Sequence, residues 1–379
     1  MKIVIAPDSF KESLSAYETA SAIERGFRSI LPNAEYVKVP MADGGEGTVQ
    51  SMVDATGGYI VNQVVTGPLG KPVDAFFGMM GDGRTAVIEM AAASGLHLVP
   101  PDKRNPFITT SRGTGELMLA ALDKGANHLI IGLGGSATND GGVGMMQGLG
   151  ASFLDKSGQE ISQGGGALHQ IASIDLSGLD PRLQATQLEV ACDVDNPLTG
   201  ERGASAVFGP QKGADDEMVQ LLEGNLSHFA NIAKKQLDVS FYEVEGSGAA
   251  GGLGASLLGF LHADLQKGID IVQKAVHFDD IIKDADLIIT GEGRIDRQTI
   301  YGKTPIGVAK AAKKHNIPVI GIAGSLSKDC TVVHEYGIDA LFSIVPGVTT
   351  LSEAMRDGAH HVENTARNIA AVMALGNGK

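Results

Sequence analysis

At five points in this chain acidic and hydroxyl side chains stand beside glycine or proline, directly after an apolar run. They are Asp8-Ser9 with Lys11, Asp43 with Glu46, Ser136 to Asp140, Asp193 with Asp195, and Glu292 with Arg294 and Asp296. Ligands of open α/β sheets meet the carboxyl ends of strands, so loops of this kind are expected to converge. Together they suit phosphoryl transfer. That reaction asks a protein for positioning, neutralisation of phosphate charge, a carboxylate-held Mg2+ and a base that orients the attacking hydroxyl.

The densest stretch runs from Ile130 to Gly142. Residues 128–133 read as a buried strand. A loop with Gly134, Gly135, Ser136, Thr138, Asn139, Asp140, Gly141 and Gly142 follows, and a helical pattern starts at Val143. Strand, glycine loop, helix is an order that builds anion sites, because backbone N–H groups approach a phosphate closely and the helix N-terminus adds favourable potential. Ser136 and Thr138 can donate to phosphate oxygens, and Asp140 can reach a bound metal. An ordinary tight turn would use the same glycines, and Asp43 beside Gly44 reads equally as a helix cap. Asp193 and Asp195 alternate with Val194 at a strand end, which points both to one side and favours a cation between them. Arg112 opens a helix in a Gly-Thr-Gly setting and suits gripping a carboxylate or phosphate, whereas Lys11 can be an ordinary solvated lysine.

Apolar periodicity sets out the elements that must position these loops. Residues 2–6 form a strand. Ser15 with Glu18 is a capping-box signal, and Ala20, Ile23, Phe27 and Ile30 mark the helix face behind it. A strand at 36–39 and a helix ending at Gly57-Gly58 complete a β-α-β-α opening, the start of a parallel sheet covered by helices. Short strands at 61–65, 73–77 and 86–90 then form a β-meander. After Ile282 the alternation returns, with strands at 287–289, 319–323 and 340–345. Thr304-Pro305 reads as an N-cap followed by proline, and the last helix starts at Thr350 with Glu353 three residues on. Two strands at one end and three at the other suit a small sheet of flavodoxin-like size. The expected fold is therefore α/β with two domains. Both chain ends, residues 1–64 plus 283–379, form a flavodoxin-like doubly wound parallel sheet. Residues 65–282 form a larger inserted α/β domain with the glycine-rich loops, and the active site is expected in the cleft between the two.

The totals exclude several classes. At 379 residues the chain exceeds one typical core. A net charge of −14 disfavours nucleic acid and anionic membranes, so the cations that meet an anionic substrate must be concentrated locally. Cys192 and Cys330 carry no disulfide framework and read as reduced thiols of a cytoplasmic protein. Residues 1–8 make no signal peptide, and no apolar run reaches spanning length. Gly302-Lys303-Thr304 looks like the tail of a P-loop, but Arg297 stands where the first glycine is needed, so the motif is rejected. No Gly-x-Gly-x-x-Gly opens the first βα turn, which counts against a nicotinamide-dependent dehydrogenase. The absence of His-x-His and Cys-x-x-Cys argues against a structural zinc.

Several long strings carry a resemblance: residues 7–14 (Pro-Asp-Ser-Phe-Lys-Glu-Ser-Leu), 42–48 (Ala-Asp-Gly-Gly-Glu-Gly-Thr), 134–142, 192–198, 209–213 and 290–296 (Thr-Gly-Glu-Gly-Arg-Ile-Asp). With them the chain resembles the bacterial glycerate kinase family, type I, over essentially its whole length, and the strings show no departure from the family's motifs. The resemblance implies phosphorylation of D-glycerate by ATP with Mg2+, giving 2-phosphoglycerate as in enteric members, in glyoxylate, glucarate and galactarate breakdown. Phosphorylation at the 3-hydroxyl is the alternative product. The implied partners are D-glycerate and ATP, without nucleic acid or membrane, in the cytoplasm, with the oligomeric state left open. The family fold is two α/β domains, one flavodoxin-like. On the matching motifs, Asp8, Lys11, Asp193, Arg294 and Asp296 are expected to be catalytic. Gly134, Gly135, Ser136, Thr138, Asp140, Gly141 and Lys212 are expected at ATP and Asp43 and Glu292 at glycerate, with Arg112, outside these strings, added to the glycerate site for its helix-opening position. Asp193 or Asp296 supports Mg2+, Lys11 or Lys212 neutralises the moving phosphoryl group, Arg294 or Arg112 grips the carboxylate, and Asp8 or Asp193 orients the hydroxyl.

Overall fold

A computed structural model describes residues 1–241 and 244–377. In chain order its strands are β1 (Lys2–Ile5), β2 (Glu35–Lys38), β3 (Tyr59–Thr66), β4 (Pro72–Met79), β5 (Thr85–Glu89), β6 (His128–Gly132), β7 (Ser152–Leu154), β8 (Ser173–Asp175), β9 (Gln187–Ala191), β10 (Asp264–Gln266), β11 (Leu287–Ile295), β12 (Val319–Leu326) and β13 (Ala340–Ser343). They divide between two compact units. One comprises residues 1–43, 50–57 and 269–379, the other residues 44–49 and 58–268.

The first unit is built on a parallel sheet of order β13-β12-β11-β1-β2. Renumbered along the unit, that order is 2-1-3-4-5, the flavodoxin arrangement expected from the alternation. Ile3, Val4 and Ile5 face Leu287, Ile288 and Ile289 across the β1–β11 ladder, and all are buried. Such continuous apolar runs mark strands covered on both faces. The Ser15 capping box opens the helix Ala16–Arg28, which buries Ala20, Ile23 and Phe27. The chain leaves β1 toward β2 on one side and reaches β11 on the other. A crevice therefore opens at the carboxyl ends of β1 and β11, the switch point where such sheets bind ligands.

The second unit holds a six-stranded sheet, β10-β9-β6-β5-β4-β3. β5, β6, β9 and β10 run parallel, and β3 and β4 extend them as the expected antiparallel meander. β7 and β8 form a separate antiparallel pair. Phe153, Phe229, Phe241 and Phe260 meet with ring centroids 5.3–6.5 Å apart inside this unit's core.

The unit boundaries fall at 57/58 and 268/269 rather than 64/65 and 282/283. Strand pairing sets them. β3 pairs with β4 from Tyr59 onward, and β10 returns to β9 as late as Gln266. Three local expectations also shift. β9 stops at Ala191, so Asp193 and Asp195 lie beyond the ladder. Lys303 is the N-cap of the helix Thr304–Lys314, with Thr304 its first residue. The Thr350 capping box opens only a short helix, Leu351–Arg356, and a separate helix, Gly358–Asn377, follows. Among the described residues no helix is long and apolar enough to cross a membrane.

Candidate active site

In the first unit three carboxylates gather at the switch point. The backbone N–H of Asp8 donates to Gly291 O at 2.8 Å, which pins the loop after β1 against β11. The Asp8 side chain is 8% exposed. One of its oxygens accepts from the Ser9 backbone at 2.6 Å, and the other accepts from the Thr304 hydroxyl at 2.7 Å. Burial, with Asp43 and Glu292 adding like charge, pushes its pKa up to about 7 against the pull of these donors. Glu292, near the carboxyl end of β11, accepts from the Thr299 hydroxyl at 2.6 Å and faces Lys303 Nζ at 3.3 Å. Burial raises its pKa as well. Asp8, Asp43, Glu292, Lys11, Arg294 and Lys303 line one cavity of about 490 Å3. A carboxylate poised near neutrality beside fixed cations is the chemistry of a general base acting on an anionic substrate.

Asp296 stands apart from this lining. Its carboxylate accepts from Gln298 N–H at 2.8 Å as the cap of a 3-10 turn, and Arg294 lies 3.4 Å from it. The cavity instead gains Lys303, and Thr304 joins it through Asp8. In the sequence these two residues stand in Gly302-Lys303-Thr304, which makes no P-loop, and in the helix start at Thr304-Pro305.

In the second unit the glycine loop follows β6 as expected, but most of it faces inward. Asp140 is 1% exposed. It accepts from the N–H and hydroxyl of Ser111 at 2.8 and 2.9 Å and from the N–H groups of Gly142 and Gly144 at 3.2 and 3.3 Å. Burial holds its pKa above the usual carboxylate range. This aspartate thus caps the helix Val143–Gly148 from within, in the place where a phosphate was expected, and its oxygens accept from four donors of the surrounding chain. Thr138 is buried, and the glycine-rich stretch at residues 246–254 packs on its carbonyl: a Cβ on Gly251, where φ is +71°, would lie 1.9 Å from Thr138 O.

The accessible part of the loop is half-buried Gly134 and exposed Gly135, and Ser136, next in the chain, is 7% exposed. Ser136 bridges to Gly95 through Leu96 N–H to Gly135 O (2.8 Å) and Ala137 N–H to Ser94 O (2.9 Å). That pattern turns the Ser136 N–H away from the bridge. Among the described residues no acceptor meets the N–H groups of Gly134, Gly135 or Ser136. Gly135 adopts φ +69°, a conformation that glycine takes without strain. Consecutive N–H groups of this kind form an anion-binding concavity. Behind them lies Lys212, 2% exposed, whose ammonium donates to Ser136 Oγ at 2.8 Å and Thr138 O at 2.7 Å. Burial lowers its pKa to about 7, with Asp140 pulling the other way. Because Ser136 Oγ accepts from the lysine, its own proton is left to donate to another acceptor.

Arg112 opens its helix as expected and donates from Nε to Glu116 at 2.9 Å. Asp193 is exposed and accepts from Gly268 N–H at 3.1 Å, while Asp195 pairs with Arg202 at 2.7 Å. The two aspartates serve different partners, because the strand that would have aligned them ends before them. Among the described residues no three His, Cys, Asp or Glu side chains converge to cage a metal.

Comparison with known proteins matches residues 3–374 to the model of the Glycerate kinase family. A glycerate kinase of Bacillus subtilis is 69% identical over 375 residues, spanning 99% of this chain and 98% of that protein. The glycerate 2-kinase of Escherichia coli is 59% identical over 376 residues, with 99% of both chains covered. A crystal structure of a candidate glycerate kinase 2 from Salmonella typhimurium LT2 matches with a TM-score of 0.93 at 58% identity, covering 100% of this chain and 99% of that one.

Proposed function

This chain belongs to the glycerate kinase family, and on that premise we propose that it transfers the terminal phosphoryl group of ATP to the 2-hydroxyl of D-glycerate, giving 2-phospho-D-glycerate and ADP. The observation that carries the reading is Asp8: a buried carboxylate titrating about pH 7 at the sheet's switch point, in a cavity with Lys11, Arg294 and Lys303. Asp8, rather than the exposed Asp193, accepts the proton of the attacking hydroxyl. Arg294 and Lys11 hold the glycerate carboxylate and the charge of the moving phosphoryl group. The N–H groups of Gly134 to Ser136 and the Ser136 hydroxyl hold phosphate oxygens of ATP, and Arg112 has guanidinium donors to spare beside its Glu116 pair.

Mg2+ commonly keeps several waters and takes one or two carboxylates with phosphate oxygens, so a dedicated cage is not needed. Asp43 and Glu292 supply hard oxygen donors whose mutual repulsion a cation relieves, and they fit the ion better than Asp193 or Asp296, which serve Gly268 and Gln298. When bound there, the ion would offset charge on the phosphate oxygens.

Phosphorus NMR of the product formed from D-glycerate, ATP and Mg2+ tests the reading. A 2-phosphoglycerate resonance supports it. A 3-phosphoglycerate resonance keeps the kinase but turns the substrate end for end, and no phosphorylated product from folded protein overturns it.

Thr304 supports Asp8 by donating to its charged form. Thr304→Val removes that donor at nearly constant volume, so the acid limb of the kcat/KM profile for glycerate is expected to move upward by about one pH unit. Thr304→Ser should return it. An unmoved profile in Thr304→Val would separate Asp8 from the titration that governs activity.

A further inference from the structure

A second cavity, of about 140 Å3, adjoins the charged one in the first unit. It lies between the loop after β1, the chain leaving β13 and the helix Leu351–Arg356. Phe10, Ile344, Val345 and Ala354 wall it, and Leu351 and Met355 line both cavities. Its polar side chains are Lys11 and Ser325, both on the wall shared with the charged cavity, and Ser13, whose hydroxyl is spent on Met355 O at 2.7 Å. Neither glycerate nor a polyphosphate gains from leaving water for such a surface, since every carbon of glycerate carries oxygen. Of the two substrates, only the purine ring of ATP has faces that favour an apolar slot.

We propose that this cavity receives the nucleobase of the phosphoryl donor, an inference that rests on the kinase reading above. Lys11, on the wall common to both cavities, then stands where the polyphosphate leaves the base. No carboxylate or carboxamide lines the slot, so its grip is by shape and burial. A pocket of that kind rejects wrong rings weakly, and GTP is expected to serve within about a hundredfold of ATP in kcat/KM.

The test fills the slot from two walls. Ala354→Phe and Val345→Phe touch the apolar cavity and not the charged one. Each is expected to raise KM for ATP about tenfold or more, with KM for D-glycerate and kcat near the wild-type values. Adenosine, which carries the base without phosphate, is expected to compete with ATP in the wild type and to lose that competition in the folded variants. An unchanged KM for ATP in either folded variant, a raised KM for glycerate instead, or failure of adenosine to compete in the wild type overturns the assignment. Failure of the kinase reading looks different: the wild type itself would form no phosphoglycerate.

Discussion

Asp8→Asn is expected to lower kcat by about three orders of magnitude in a protein that still folds. The amide keeps the shape of the carboxylate. Its oxygen can accept from the Ser9 N–H, and the Thr304 hydroxyl can turn to accept from its NH2 group. What disappears is the capacity to take the proton of the attacking hydroxyl. In the wild type, kcat/KM for glycerate should fall about tenfold per pH unit below the pKa of Asp8, because the base must be ionised; Mg2+ on Asp43 and Glu292 would offset their like charge and draw that midpoint below the metal-free value of about 7. Stability supplies an independent readout. Between pH 3.8 and about 7 the folded protein keeps on Asp8 a proton that the unfolded chain has lost. Wild-type stability therefore falls as pH rises through that window, and Asp8→Asn escapes the fall. In Mg2+-free buffer the variant should melt above the wild type at pH 8, with the gap closing toward pH 5. A folded Asp8→Asn enzyme with near-normal turnover would remove Asp8 from the chemistry, whatever its melting curve shows.

Asp8, Asp43 and Glu292 were visible in the sequence because each stands beside a turn residue after an apolar run, and parallel topology sends such positions to one edge of a sheet. The same alternation carried the five-stranded order, since buried parallel strands read as unbroken apolar runs. Other features depend on where hydrogen-bonded ladders stop. Asp193 and Asp195 have strand-like spacing, but β10 offers β9 only the three residues Asp264–Gln266, and the pairing ends at Ala191. The unit boundary lies before β3 rather than after it for a similar reason, because β3 is claimed by its partner β4 from its first residue. Spacing is also silent on whether a loop carboxylate faces in or out. Asp140 looks like a ligand in the string Thr-Asn-Asp-Gly-Gly, yet four donors from its own surroundings fix it inside the turn. Lys303 and Thr304 are hidden differently: Gly302-Lys303-Thr304 does not make a P-loop, yet Lys303 lines the charged cavity and Thr304 reaches it through Asp8.

Lys212→Met carries the second large effect, an expected rise in KM for ATP of about 10- to 100-fold with a smaller loss in kcat. Methionine fills most of the buried volume of the lysine but donates nothing. Ser136 Oγ and Thr138 O each lose a donor, and the Ser136 hydroxyl becomes free to turn its proton toward the vacated carbonyl rather than to a phosphate. The pH dependence of stability identifies the lysine as the cause. Burial lowers its folded-state pKa to about 7, so between pH 7 and 10.5 the unfolded chain binds the extra proton. Wild-type stability therefore gains from this group as pH rises through that window, and Lys212→Met lacks the gain. Initial rates against ATP and melting curves from pH 6 to 9 read both effects in the same preparations. A folded Lys212→Met enzyme with unchanged KM for ATP would mean that the Gly134 to Ser136 N–H groups hold something other than the nucleotide's phosphates. The free donors would then be sought by the carboxylate of glycerate, the other anion of the reaction, and KM for glycerate would be the constant to rise.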